Sequence, residues 1–361
     1  MSTTYPLRGP AFSTFEPGDV AWLLEDYSTL PLEADVTVRE AAIQAGVAHY
    51  ADSLPVEYEP TPAYLEAYRD SVSRNADLVG LCGARVAADI WAAVGPDAVL
   101  VSLARAGVVA GIMLRQLAAR YYGADWAHYA ISIVRDRGID LSALQWLTEH
   151  VDPSNVVFVD AWTGKGAIRS ELSQALAGTG FPDRLVVLAD PAGVADFAGV
   201  REDVLVPSAC LNATVSGLVS RTVLPQPGRN SRHGAKFYKE LADVDQSRDL
   251  VKALVSGAPS GPVAGAGQRE LTWSGMSSVE RLQAEFGLPS LHLVKPGLGE
   301  TTRVLLRRVP WKVLVSQGHG GSSALTHIRQ LADERGVPVV EADTGPYLAI
   351  GLVRPTDSSD V

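Results

Sequence analysis

The string Asn155 to Leu172, NVVFVDAWTGKGAIRSEL, constrains this chain more than any other. The apolar run Val156 to Val159 is too short for a helix and suits a buried parallel strand. Asp160 ends it, Thr163-Gly164-Lys165-Gly166 forms a tight polar loop, and Ala167 to Leu176 resumes at helical spacing through Ile168, Leu172 and Leu176. A strand, a Gly-rich turn and a helix start make an anion site. The first helical N–H groups lack internal partners, and the helix dipole favours negative charge there. The glycines admit a phosphate close to the backbone, and the Thr163 hydroxyl and Lys165 ammonium add donors. Asp160, at the strand's carboxyl end, is placed to accept from sugar hydroxyls. The same string also suits an ordinary βα turn with a glycine cap.

Neither the Walker spacing nor G-x-G-x-x-G is present. With 361 residues the chain can hold two or three domains, and 47% hydrophobic with 20% charged residues is ordinary for a globular protein. A net charge of −10 argues against broad nucleic-acid coating and leaves room for a local basic patch. Two cysteines, Cys82 and Cys210, exclude a disulfide scaffold and a Cys-based zinc site. No basic-then-apolar leader and no apolar run of about 18 residues is present, so the expectation is a cytoplasmic protein with no membrane span.

A second strand–loop–helix lies upstream. Ala98 to Leu103 is a strand, Ala104-Arg105-Ala106-Gly107 a loop, and Val108 to Arg120 a helix. Arg105 offers a bidentate grip on phosphate, and Gly107 allows close approach. Before it, Phe12 to Leu24 suggests a loop and a short helix starting near Pro17–Asp19. Val36 to Tyr50 reads as a helix, Pro55 to Pro62 as extended, and Thr61-Pro62 as a helix start running to Ala93. Between the two anion loops, His128 to Val134 alternates as a strand, followed by the cationic turn Arg135-Asp136-Arg137-Gly138. Downstream, Leu185 to Leu188 is a strand with Asp190 at its carboxyl end, where open α/β sheets bind ligands. Val204 to Pro207 reads as another strand. Ala209 to Leu224 is rich in small residues and carries Asn212 and Arg221, the latter a candidate phosphate or carboxylate partner. Gln226 to Gly234 is a basic loop, Ala235 to Val255 reads as helix, Ser256 to Gly267 as a flexible connector, and Ser277 to Phe286 as helix. Lys295 to Glu300 reads as a turn. The remainder runs strand (Trp311–Ser316), Gly-rich loop, helix (Ser322–Glu334) and two strands (Val339–Ala342, Tyr347–Val353).

The main motif resembles the diphosphoribosyl (PRPP) motif of type I phosphoribosyltransferases, with Ala161 where that family usually has a second acid. Ala104 to Gly107 resembles their pyrophosphate loop. The segment HIRQLADERGVPVVEAD resembles the small Pelota-type RNA-binding domain. Together with HYAISIVRDRGID, LNATVSGLVSRTVL and KPGLGETTRVLLRR, these strings resemble a phosphoribosyltransferase–Pelota fusion family of tellurite-type stress-response gene clusters, often labelled cysteine protease StiP. The resemblance covers about Asp77 to Leu352.

It implies an α/β fold: a type I phosphoribosyltransferase-like parallel sheet with helices on both faces and a small C-terminal Pelota-like domain. The implied division is an N-terminal helical cap (1–70), the phosphoribosyltransferase-like core (71–225), a helical extension with a flexible linker (226–298) and the Pelota-like domain (299–361). It implies a PRPP- and Mg²⁺-using transferase that makes or exchanges an N-glycosidic bond, helping to make a nucleoside-like metabolite for stress response. Asp160, Arg135 and Arg137 are the expected catalytic residues, the two arginines on a loop that closes over the substrate. Arg105, Ala106, Gly107, Thr163, Gly164, Lys165, Gly166, Asp190 and Arg221 are the expected binding residues. Mg²⁺ would be held by substrate oxygens and water rather than by protein side chains. The acceptor would sit near Asp190 or Asn212 to Arg221. RNA is an expected partner of the C-terminal domain, and pairing into a homodimer is in keeping with the fold.

Two other readings stand beside this one. With Ala161 in place of an acid, the sheet can instead carry a non-catalytic phosphate-sugar pocket. A cysteine protease needs a thiolate paired with histidine. Cys82 sits in an apolar helical string, whereas Cys210 has Asn212 two residues on and His233 as a candidate partner. A metal hydrolase lacks support, since no H-x-x-x-H pair occurs.

Overall fold

The computed structural model describes residues 5–35, 38–39, 42–43 and 45–355. The helix expected over Val36–Tyr50 falls partly outside them.

The main sheet is built from β1 (Ala21–Trp22), β2 (Val99–Ala104), β3 (Ala127–Val134), β4 (Val156–Trp162), β5 (Leu185–Ala189) and β6 (Phe197–Val200). The spatial order is β1-β3-β2-β4-β5-β6, and every one of these neighbours is parallel. Gly138–Ile139 folds back antiparallel on β3. The central strands are β-branched, nearly unbroken apolar runs because both faces are covered. Val157 and Val159 pack into one apolar cluster with α1 (Pro62–Ala93), α2 (Ala106–Tyr122) and α5 (Ser247–Gly257). Val156 and Phe158 point the other way, onto α3 (Leu141–His150) and α4 (Ala167–Leu176), as strand alternation requires. α1 begins where Thr61 Oγ1 accepts the Tyr64 N–H at 3.4 Å with Pro62 as the first helical residue.

The chain runs from β2 outward to β3, then returns to the other side of β2 for β4. That reversal is the switch point of a doubly wound sheet, and ligands bind outside the strand carboxyl ends there. The loops after β2 and β4 are the two Gly-containing loops singled out above.

A four-stranded C-terminal sheet follows, with α6 (Ser274–Glu285), β7 (Val294–Pro296), α7 (Leu298–Arg307), β8 (Pro310–Ser316), α8 (Thr326–Glu334), β9 (Val339–Ala342) and β10 (Ala349–Val353). Its order is β7-β10-β8-β9, antiparallel except β8–β9. Val279, Leu282, Val304, Leu314, Ile350 and Leu352 form its core. The parallel sheet flanked by helices and the small C-terminal α/β domain are as the sequence indicates.

Several local expectations change. Residues near Pro17–Asp19 start no helix; Ala21–Trp22 adds instead as an edge strand on β3. The strand after β5 is Phe197–Val200, and Val204–Pro207 is not a strand. The expected long helix from Ala235 is a two-residue strand, a 3₁₀ segment (Lys239–Val244) and α5. Long-range pairing of Gly234–Ala235 with Glu25–Asp26 decides that stretch. Ser256–Gly267 is tied down: Asp89 accepts the Ala266 and Gly267 N–H groups at 3.1 and 2.9 Å. The expected turn at Lys295–Glu300 is a strand end and a helix start. Gly297 (φ +93°) makes the sharp change from β7 into α7, a conformation L residues rarely adopt.

Candidate functional site

A cavity of about 900 Å³ opens at the carboxyl ends of β2 and β4. Ala104, Arg105 and Ala106 line it from the loop into α2, and Asp160 and Thr163 to Arg169 from the loop into α4. Two helix N-termini therefore aim their unpartnered N–H groups into it. The Ala104–Arg105 peptide is cis. Ten Arg and Lys side chains line the cavity against four Asp and Glu, although the whole chain carries −10. The lining is thus rich in cations within an acidic protein, an arrangement suited to an anion.

Burial shifts several of the groups that line the cavity. Although the Asp160 carboxylate opens onto the cavity, protein surrounds it, and desolvation pushes its pKa up to about 7, with the charge of Glu300 adding to the rise. Arg303 and the Ala161 N–H, donated to Asp160 Oδ1 at 2.8 Å, oppose it. Lys295 is pulled down to about 7 by desolvation and by Arg308, with Lys165 and Arg135 contributing. Desolvation and Arg135 lower Lys165 to about 8. Desolvation, then Arg39, lowers Arg221 to about 9. Cations crowded together out of water in this way gain from a bound polyanion.

The structure gathers most of the expected residues. Asp160, Arg105, Ala106, Thr163, Gly164, Lys165, Gly166, Arg135 and Arg221 all line the cavity. Arg105 is held by Asn212 Oδ1 (2.8 Å) and the Val219 carbonyl (3.2 Å). Arg135 and Arg221 lie near the Tyr50 ring, 5.1 and 5.2 Å from its centroid. Others have different roles. Arg137 is exposed on the outer hairpin and does not line the cavity. Asp190 is fully buried; it accepts from Thr163 Oγ1 (2.7 Å), from the Val194 and Ala195 N–H groups and from Arg201. It braces the Thr163 loop and has no surface for a ligand. Gly107 serves packing, since a Cβ there would lie 2.2 Å from the Val159 carbonyl oxygen. Lys165 lines the cavity but donates to the Leu291 carbonyl at 2.5 Å.

The residues that sequence reasoning missed come from the C-terminal domain. Lys295, Glu300, Arg303 and Arg308 line the same cavity. The Arg303 guanidinium lies 4.6 Å from the Trp162 ring centroid and donates to Glu300 Oε1 at 2.9 Å. The signal was the amphipathic string LGETTRVLLR, masked because Gly297 and Gly299 make its start read as a turn. Further bonds clamp the two parts together. Tyr347 donates to the Gly164 carbonyl at 2.8 Å, and Asp203 accepts the Leu298 and Leu348 N–H groups at 3.0 and 2.9 Å, capping α7. The C-terminal domain thus roofs the anion loop.

The cysteines are placed differently from each other. Cys82 is buried in α1, and burial pushes its pKa up to about 12. Cys210 lines the cavity, but no histidine does among the described residues. His233 is bonded to the Ser132 hydroxyl at 2.8 Å. No described helix is long and apolar enough to cross a membrane.

Residues 13–255 match the family model described as tellurite-like stress resistance cysteine protease StiP, and residues 273–355 match that of the PELOTA RNA binding domain. The chain is 32% identical to a protein named cysteine protease StiP from Acinetobacter baylyi, over 94% of this chain and 94% of that one. The chain belongs to the StiP stress-resistance family and carries a C-terminal Pelota domain.

Proposed function

We propose that the cavity binds a phosphorylated ribose activated at C1, of the PRPP type, and transfers it to a nitrogen acceptor. The observation that carries this is the convergence of two helix N-termini and ten cationic side chains on one cavity of about 900 Å³ at the sheet's switch point. In this reading the backbone of Thr163 to Ala167 holds the 5′-phosphate, and Asp160 accepts from a ribose hydroxyl. The α2 start and Arg105 hold the leaving diphosphate. The acceptor nitrogen forms the bond to C1 as the C1–O bond breaks; the electron pair leaves with the diphosphate, which takes up the nitrogen's proton. Charge developing on the diphosphate is met by preorganised donors rather than by water. The C-terminal roof limits competing hydrolysis. A Mg²⁺ would enter with the diphosphate, held chiefly by its oxygens and water, and would neutralise part of its charge.

Isothermal titration of PRPP with Mg²⁺ tests the reading, with Arg105→Ala and Asp160→Asn as variants. Saturable binding, weakened about tenfold or more in each variant, is expected from losing a charged hydrogen bond. No saturable binding to the natural chain refutes it. Release of diphosphate with a panel of nitrogen bases then separates catalysis from binding alone.

The family's name favours a second reading, a thiol protease, and Cys210 on the cavity wall is the residue that fits it. Peptide hydrolysis lost in Cys210→Ala would establish it. The RNA-binding name of the C-terminal family supports RNA as a partner of that domain, testable by anisotropy with labelled single-stranded RNA at low salt.

A further inference from the structure

Two vicinal hydroxyls donate two hydrogen bonds and need two acceptors. At the end of β4 the sequence supplies one carboxylate, Asp160, and one of its oxygens already accepts the Ala161 N–H at 2.8 Å. The next residue, Ala161, has no polar side-chain atom and is buried. A second carboxylate enters the same cavity from the other domain, and its charge is felt at Asp160. Glu300, in the first turn of α7, lies over the Thr163–Gly166 loop: a Cβ added at Gly164 would stand 4.0 Å from its Cγ. Both carboxylates line the cavity.

Arg303 links them. It donates to Glu300 Oε1 at 2.9 Å, lies over the Trp162 ring, and its charge favours ionised Asp160. Its Nε is buried and has no hydrogen-bond partner among the described residues. A buried donor left without an acceptor is costly unless a ligand supplies one. Glu300 itself is desolvated, which raises its pKa, yet Arg303 and Lys295 outweigh this and hold it below the usual carboxylate range. It is thus an ionised acceptor facing the cavity, not a proton donor.

The geometry points to a composite sugar site in which Glu300 of the Pelota domain and Asp160 of the parallel-sheet domain together hold the ribose diol. This deepens the phosphoribose reading and rests on it. The site is complete only when the two domains are docked, so the Pelota domain is part of the binding machinery. The ligand class follows: a ribose phosphate with both ring hydroxyls free is favoured over its deoxy counterpart.

The test titrates ribose 5-phosphate, 2-deoxyribose 5-phosphate and inorganic pyrophosphate into the full natural chain and into full-length Glu300→Gln. The natural chain is expected to prefer ribose 5-phosphate over the deoxy sugar by about tenfold or more, the scale of one hydrogen bond to a charged group. Glu300→Gln is expected to lose that preference while keeping its affinity for the deoxy sugar and for pyrophosphate. If the variant keeps the preference, Glu300 is not an acceptor of the diol, and the phosphoribose reading survives without it. An equal fall for all three probes also overturns the proposal, because charge or shape was lost rather than a diol contact. If the natural chain binds neither sugar phosphate, the phosphoribose reading itself fails and this inference falls with it.

Discussion

Replacing Gly107 by alanine separates two explanations of a glycine beside an anion loop. If it is there so that a ligand can approach the backbone, adding a methyl group harms binding and leaves stability alone. The structure argues otherwise. The new Cβ would sit 2.2 Å from the Val159 carbonyl oxygen, 3.0 Å from its carbon and 3.1 Å from Asp160 Cα. All three are backbone atoms of β4, so no side-chain rotation relieves the contact. Against an ordinary separation of about 3.5 Å, α2 and β4 must part by roughly an ångström at the centre of the sheet. Overpacking of this kind costs about 1–3 kcal/mol, and in a domain of this size each kcal/mol lowers the thermal midpoint by about 2–4 °C. Gly164→Ala is the control. Its nearest outside atom, Glu300 Cγ, is 4.0 Å away, an ordinary contact. Calorimetric midpoints of the two variants and the parent give the answer. A Gly107→Ala midpoint within about 1–2 °C of the parent, the equivalent of about 0.5 kcal/mol, or one no lower than that of Gly164→Ala, refutes the packing argument.

Other expectations follow from the same geometry. Sulfate, whose charge is constant near neutrality, should bind more weakly as pH rises through about 7: Lys295 then loses its proton, and Asp160 gains its negative charge over the same range. Calorimetric titration at pH 6 and 8 checks this, and Lys295→Met should flatten the dependence; an affinity rising with pH contradicts it. Cys82, with its thiol pushed up to about 12, should resist iodoacetamide in the native chain at pH 8, and mass spectrometry of the alkylated protein reads this directly. Asp203→Ala leaves the buried Leu298 N–H and the half-buried Leu348 N–H without an acceptor and should destabilise by about 2 kcal/mol or more. Protease nicking of the natural chain and the variant should show the C-terminal sheet loosening first; unchanged resistance would mean that Asp203 does not hold the domains together.

A thiol nucleophile is activated by an adjacent base, yet the cavity containing Cys210 presents cations and carboxylates and no imidazole among the described residues.

The sequence by itself determined the strand–loop–helix units. VLVSLARAG and VVFVDAWTGKGAI carry their own pattern: an apolar run, a short polar turn, then helical spacing. Those are local signals, set by backbone propensity and by burial on both faces. They were enough to place Arg105, Asp160 and the Thr163–Gly166 loop on one sheet edge. Only the tertiary structure decided what each group does there. Asp190 reads as a ligand-facing acid in sequence, but folding buries it as the brace of Thr163. Gly107 reads as a ligand contact and proves to be the touching point of α2 and β4. Arg137 lies two residues from Arg135 but faces outward. Glu300 stands 140 positions from Asp160, on a helix that its flanking glycines disguised. No local propensity records which charge will face which, because that pairing is fixed only when two domains dock and exclude the water between them.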